Sequence, residues 1–122
     1  MRVPRFFVTV LLAFLTVSAC GGGGAASGPL KSMTVVGTEM AFTAPDHVPA
    51  GHYQVAFQNK GTTYHELAFK NSDGKIVTRR SIDAGQFINL DVTLSAGTWE
   101  LACYEPGHYE AGMHKALIVD KA

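Results

Sequence analysis

The sequence predicts an all-β fold, a Greek-key β-sandwich of about seven to eight strands. Three observations carry that expectation. Apolar and polar residues alternate at period two, clusters of Gly, Asn, Asp and Ser interrupt the runs at short intervals, and no stretch sustains a helical stripe. Short strands repeated over about 90 residues pack as facing antiparallel sheets.

The first strand signal is the β-branched segment Thr34-Val35-Val36. Tyr53, Val55 and Phe57 then alternate with His52, Gln54, Ala56 and Gln58, and Asn59-Lys60-Gly61 ends that run. Tyr64 to Phe69 begins another strand, after which Asn71-Ser72-Asp73-Gly74 turns the chain toward Ile76-Val77. Ile88, Leu90, Val92 and Leu94 line one face of the next. Ser95-Ala96-Gly97 leads into Trp99, Leu101 and Cys103, and Lys115 to Asp120 forms the last strand. Trp99, Leu101 and Cys103 share a face, and two of them are large and apolar. That face is the core face, so Cys103 points inward at the strand's end.

The N-terminus has a different character. Residues 1–19 read as an export signal: Arg2 and Arg5 precede the apolar run Phe6 to Val17, and Ser18-Ala19 are small residues before Cys20. Val17-Ser18-Ala19-Cys20 resembles a bacterial lipoprotein box. That resemblance implies cleavage before Cys20, a diacylglycerol on its thiol, and an exported protein anchored to the membrane and facing the periplasm or the cell exterior. Two acyl chains anchor stably. An ordinary signal peptide, with Cys20 incidental, is the alternative. Residues 20–32 comprise this lipidated Cys and a Gly-rich tether whose reach is only about 15 Å. Residues 33–122 form the domain.

Cleavage leaves 122 − 19 = 103 residues, enough for one small core. Loss of Arg2 and Arg5 lowers Lys+Arg from 10 to 8 against 10 Asp+Glu, a formal charge of −2. There is no basic run to bind nucleic acid. With Cys20 lipidated, Cys103 is the one remaining thiol of an exported protein and has no disulfide partner. A bound metal would protect it.

The stretch from Cys103 to Met113 supplies that possibility. Cys103, His108 and Met113 follow one another at intervals of five residues, within one loop that Pro106-Gly107 turns back on itself. His65, far upstream in Thr63-Tyr64-His65-Glu66, completes a set of one thiolate, two imidazoles and a thioether. Such a set selects copper used for electron transfer, whereas a thioether is a poor ligand for zinc.

Gly97-x-Trp99-x-Leu101-x-Cys103, Pro106-Gly107-His108, Gly112-Met113 and Leu117-Ile118-Val119 together resemble the cupredoxins, the small blue copper proteins. The Cys-x4-His-x4-Met spacing is similar to that of auracyanins and rusticyanins, and Ala50-Gly51 through Gln58-Asn59-Lys60-Gly61 to His65 fits the family's approach to its first His. The resemblance spans Met33 to Val119. It implies one type 1 copper ion with His65, Cys103 and His108 as strong ligands and Met113 as the long axial one. It further implies a monomeric one-electron carrier, not an enzyme, whose redox protein partner docks near His108. Copper sequestration or delivery outside the cytoplasm is a second reading, and a small copper enzyme a third.

Glu66 departs from the family, many members of which carry Asn after the first His to tie the two ligand loops together. A carboxylate there has three possible roles: facing solvent, bracing Lys or backbone groups, or approaching and perturbing the metal. His47, His52 and His114 read as surface groups, and Met40 as a core filler, with a Met40–His114 auxiliary copper site as the alternative. Tyr104, Pro106 and Tyr109 read as packing residues or as an apolar docking rim. Glu105 and Glu110 would flank that rim and favour a basic partner.

Overall fold

A computed structural model describes residues 28–122. The export signal, Cys20 and most of the Gly-rich tether lie outside the described residues. Nine strands are present among them: β1 (Lys31–Thr38), β2 (Ala41–Thr43), β3 (His47–Pro49), β4 (Gly51–Asn59), β5 (His65–Lys70), β6 (Ile76–Ile82), β7 (Phe87–Leu94), β8 (Gly97–Ala102) and β9 (His114–Asp120). They form a four-stranded sheet in the order β2-β1-β4-β7 and a five-stranded sheet in the order β3-β9-β8-β5-β6. β1 opens two residues before the expected domain start at 33, because Lys31 and Ser32 already lie opposite Tyr53 and Gln54.

The period-two pattern places side chains as expected. Tyr53, Val55 and Phe57 of β4 lie beside Val92, Leu90 and Ile88 of the neighbouring β7 on the core face of one sheet, and Trp99, Leu101 and Cys103 point into the core from the opposing sheet. The two buried hydroxyl and indole groups find backbone acceptors. Tyr53 Oη donates to Pro49 O at 2.6 Å, and Trp99 Nε1 donates to Ser95 O at 2.9 Å.

Two expectations need correction. The sheets are mixed rather than purely antiparallel, since β1 runs parallel to β4 and β3 parallel to β9. After β2 the chain leaves its sheet, pairs briefly with the C-terminal strand as β3, and returns beside β1 in the original direction. Side-chain alternation reports which face is buried and carries no information on neighbour direction. The additional strands, β2 and β3, have three residues each and one inward side chain apiece, Phe42 and Val48. Runs so short have no period to detect.

β5 is the element that positions the site. It lies between β8 and β6, and its first five residues, His65 to Phe69, are all buried. An alternating strand with one wet face would expose Glu66 and Ala68; here both are covered. Phe57, fully buried on β4, is among the largest side chains filling the space between the sheets. Phe57→Ala is expected to lower stability by about 3–5 kcal/mol, measured by denaturant unfolding, because the cavity left between two sheets collapses only partly.

Candidate metal centre

At one end of the sandwich β5 begins with His65, and β8 runs out into Cys103. The loop from Cys103 to Met113 closes over them through backbone hydrogen bonds. Cys103 N donates to Met113 O at 3.0 Å, Met113 N to His108 O at 3.0 Å, and His108 N to Glu105 O at 2.9 Å. Gly107 and Gly112 adopt φ of 81° and 106°, a region disfavoured for residues with a Cβ, and so let the loop double back.

This folding brings three of the expected groups together. His65 Nδ1 lies 3.3 Å from His108 Nδ1, and Cys103 Sγ lies 3.4 Å from the same atom. All three donor atoms lie within 4.8 Å of one another. Two atoms each about 2.0–2.1 Å from one ion, at trigonal or tetrahedral angles, are separated by about 3.3–3.6 Å. The convergence therefore fits a shared metal. Hydrogen bonding alone accounts for it less well, since His108 Nδ1 serves either the other imidazole or the thiol as donor, not both. Met113 is fully buried beside them, its backbone bonded to both Cys103 and His108. His108 is half-buried, next to exposed Pro106 and Gly107.

The sulfur sits in an environment only partly prepared for negative charge. The Glu66 backbone N–H donates to Cys103 Sγ at 3.3 Å. Burial pushes the thiol above its ordinary pKa, while the Glu66 and Glu105 backbone N–H groups pull it down. A cation removes the conflict, because a coordinated thiol is deprotonated outright.

Glu66 takes the bracing role rather than a place beside the metal. Its Oε1 accepts the Tyr104 N–H at 3.3 Å, and its Oε2 accepts from Arg79 Nη2 at 2.7 Å and Arg79 Nε at 2.9 Å, while the Ser81 hydroxyl lies between Glu66 Oε2 at 3.4 Å and Glu105 Oε1 at 3.1 Å. It ties β5 to the residue after Cys103, with Arg79 of β6 as counter-charge. Tyr104 stacks on Tyr109 at 5.4 Å, and Tyr109 on His114 at 4.5 Å, which makes both tyrosines packing residues. His114 also lies 3.8 Å from Glu100, so its ring is already engaged. His47 is exposed and pairs with Asp120, whereas His52 is half-buried.

Two residues missed by sequence reasoning shape the approach to His65. Buried Asn59 donates to Thr63 O at 2.8 Å and Ile82 O at 3.1 Å, and accepts the Gly61 N–H at 3.0 Å, so it pins the loop before His65. The Asn-Lys-Gly turn pointed to the loop, though not to this grip. Glu39, in the β1–β2 turn, accepts hydrogen bonds from the Thr62 and Thr63 backbone N–H groups. Its carboxyl is held below the ordinary range chiefly by the Thr62 N–H. An acidic residue in an exposed turn carries no sequence mark of such a contact.

No protein-family model and no curated protein matches the chain. Solved structures do. Auracyanin A, a "blue" copper protein from the green thermophilic photosynthetic bacterium Chloroflexus aurantiacus, superposes with a TM-score of 0.62 at 18% identity, over 75% of this chain and 99% of that one. Reduced rusticyanin gives 0.64 at 19%, over 77% and 81%. A multicopper oxidase gives 0.57 at 19%, over 75% of this chain and 42% of its own. The fold is thus the cupredoxin β-sandwich, with the His65, Cys103 and His108 group at the end of the barrel-like pair of sheets.

The two buried donors set a pH range for the metal-free protein. Burial, reinforced by His108 and opposed by Glu39, holds His65 below its ordinary value of 6.5. As pH falls below that value the unfolded chain binds a proton that the fold resists, and stability is lost. Cys103 is raised above its ordinary value of 9.0, so as pH rises past 9.0 the unfolded chain releases a proton that the fold retains. Stability is lost there too. Urea midpoints of the metal-free protein should therefore be greatest between about pH 6.5 and 9, with the alkaline decline reduced in Cys103→Ser.

Proposed function

We propose that this protein is a one-electron carrier that holds one type 1 copper ion with His65, Cys103, His108 and Met113 and is tethered to the membrane through Cys20. The supporting observation is the convergence of two imidazoles and one buried thiol, at 3.3 and 3.4 Å, inside a cupredoxin fold. When bound, copper supplies the Cu(I)/Cu(II) couple. The chain's own residues supply constancy of geometry. Glu66 holds the start of the Cys103 loop against β5, Asn59 pins the approach to His65, and two backbone bonds fix Met113. A ligand set held this way changes little between oxidation states, which keeps reorganisation small. His108 is the half-buried member beside exposed Pro106 and Gly107, and it forms the port at which a redox protein docks.

Two features favour this reading over the alternatives. His65, Cys103 and Met113 are all fully buried, which opposes the ready metal exchange that a delivery protein needs. The Glu66 carboxylate, which could have made a perturbed catalytic site, is occupied by Arg79, Ser81 and Tyr104.

Reconstituted with Cu(II), residues 29–122 are expected to show an intense blue band and narrow copper hyperfine splitting in electron paramagnetic resonance, both lost in Cys103→Ser. A colourless or red adduct would contradict the type 1 assignment. For the anchor, Cys20→Ala is expected to shift the protein from the membrane to the soluble fraction of fractionated cells; unchanged partitioning would rule out lipid tethering at Cys20.

A further inference from the structure

We propose that Glu39 is the outer partner of the His65 imidazole, holding it as an Nδ1 donor and lowering the reduction potential of the bound copper. The effect on potential rests on the copper reading above; the pairing itself does not.

His65 is fully buried, and its two nitrogens face opposite ways. Nδ1 looks into the centre, 3.3 Å from His108 Nδ1. Nε2 is the one buried side-chain nitrogen or oxygen among the described residues that lacks a hydrogen-bond partner, and Glu39 Oε1 lies 3.6 Å from it. That separation is a charge contact rather than a closed hydrogen bond. A proton on Nε2 directed at an anion leaves the Nδ1 lone pair free for metal. A carboxylate behind a ligating imidazole sets its tautomer in this way and makes it a stronger donor.

Two further features bring the carboxylate to this position. Glu39 and Met40 form the turn between β1 and β2, with Thr38 opposite Ala41, and Met40 has φ of 59°. A bulky side chain in the left-handed region is strained, and such strain persists only where surrounding contacts enforce it. Met40 packs against the core, and Glu39 Oε1 accepts from the Thr62 and Thr63 N–H groups and Thr62 Oγ1, so both turn residues are tied down. Gly61 completes the arrangement. A Cβ at that position would stand 2.5 Å from Glu39 Oε1 and 2.7 Å from His65 Nε2, so a glycine is what allows the two atoms to approach.

A plain loop cap would explain the Thr62 and Thr63 bonds without any influence on the metal. Glu39→Gln separates the two roles, because it keeps an acceptor oxygen for the loop and removes the charge. The full-length protein, purified in detergent, is compared with Glu39→Gln, Glu39→Ala and Asp73→Asn, the last removing an exposed carboxylate at the opposite end of the sandwich. In the metal-free protein, nitrogen-15 NMR is expected to find His65 as the Nε2–H tautomer, with the Nδ1–H form appearing in Glu39→Ala. In the Cu(II)-loaded protein, Glu39→Gln should raise the reduction potential more than Asp73→Asn does, since loss of a nearby anion disfavours Cu(II). Copper affinity should fall about 10–100-fold in Glu39→Ala. A native Nδ1–H tautomer would overturn the pairing. Equal potential shifts in Glu39→Gln and Asp73→Asn would overturn the tuning role and leave Glu39 a loop cap. Failure to take up copper would overturn the functional reading, while the metal-free tautomer would still decide the pairing.

Discussion

The burial of the Cys103 sulfur is the constraint on which the rest of this structure depends. Strand parity carries it inward on the same face as Trp99 and Leu101, where an isolated thiolate is unfavourable and a neutral thiol is inert. The surrounding backbone resolves this only in part, through the Glu66 N–H. A shared cation would complete it, and the groups placed to share one are the imidazoles of His65 and His108. Burial favours the neutral form of His65, which is the form that ligates.

Holding three donors together in the absence of metal requires that their supporting elements be fixed by other means. β5 meets this by burying both of its faces at the site end. The inner face carries His65 and Leu67 against the core, and the outer face carries Glu66 beneath Arg79 and the start of the Cys103 loop. Removing Arg79 alone would leave the Glu66 carboxylate buried without its counter-charge, which is more damaging than losing both. Glu66 is therefore accommodated in the covered face of β5 together with its counter-charge Arg79 on β6.

Much of this was legible in the sequence, for physical reasons that differ by residue. Tyr53, Val55, Phe57, Leu90, Val92 and Leu94 announced themselves because alternation and burial are the same fact in a sandwich strand. Cys103 followed from parity, and His108 from a turn that sends the loop back on itself. The parallel pairing of β1 with β4 was hidden because neighbour direction leaves no mark on alternation, and β2 and β3 because one inward residue is no pattern. Glu66 was singled out with bracing among its possible roles, but its partners, like the roles of Asn59 and Glu39, were hidden for a further reason. Each acts on a segment distant in sequence, at Tyr104, Ile82 and Thr62 respectively, so its role exists only once the sheets have assembled.

Glu66, next to His65 in sequence, and Glu39, across from its ring, illustrate how similar side chains come to differ in electrostatic effect. Glu66 is buried, but the Arg79 guanidinium binds it at two nitrogens and offsets part of its charge. Glu39 is half-exposed, yet its partners are uncharged N–H groups, a hydroxyl and His65 itself. Its charge is therefore compensated by dipoles and by water alone, and part of it acts on the imidazole 3.6 Å away. Proximity alone does not decide which acid matters to the metal. The charge left after each acid's partners are counted enters as well, and on that count Glu39 has no cationic side chain paired with it while Glu66 has Arg79.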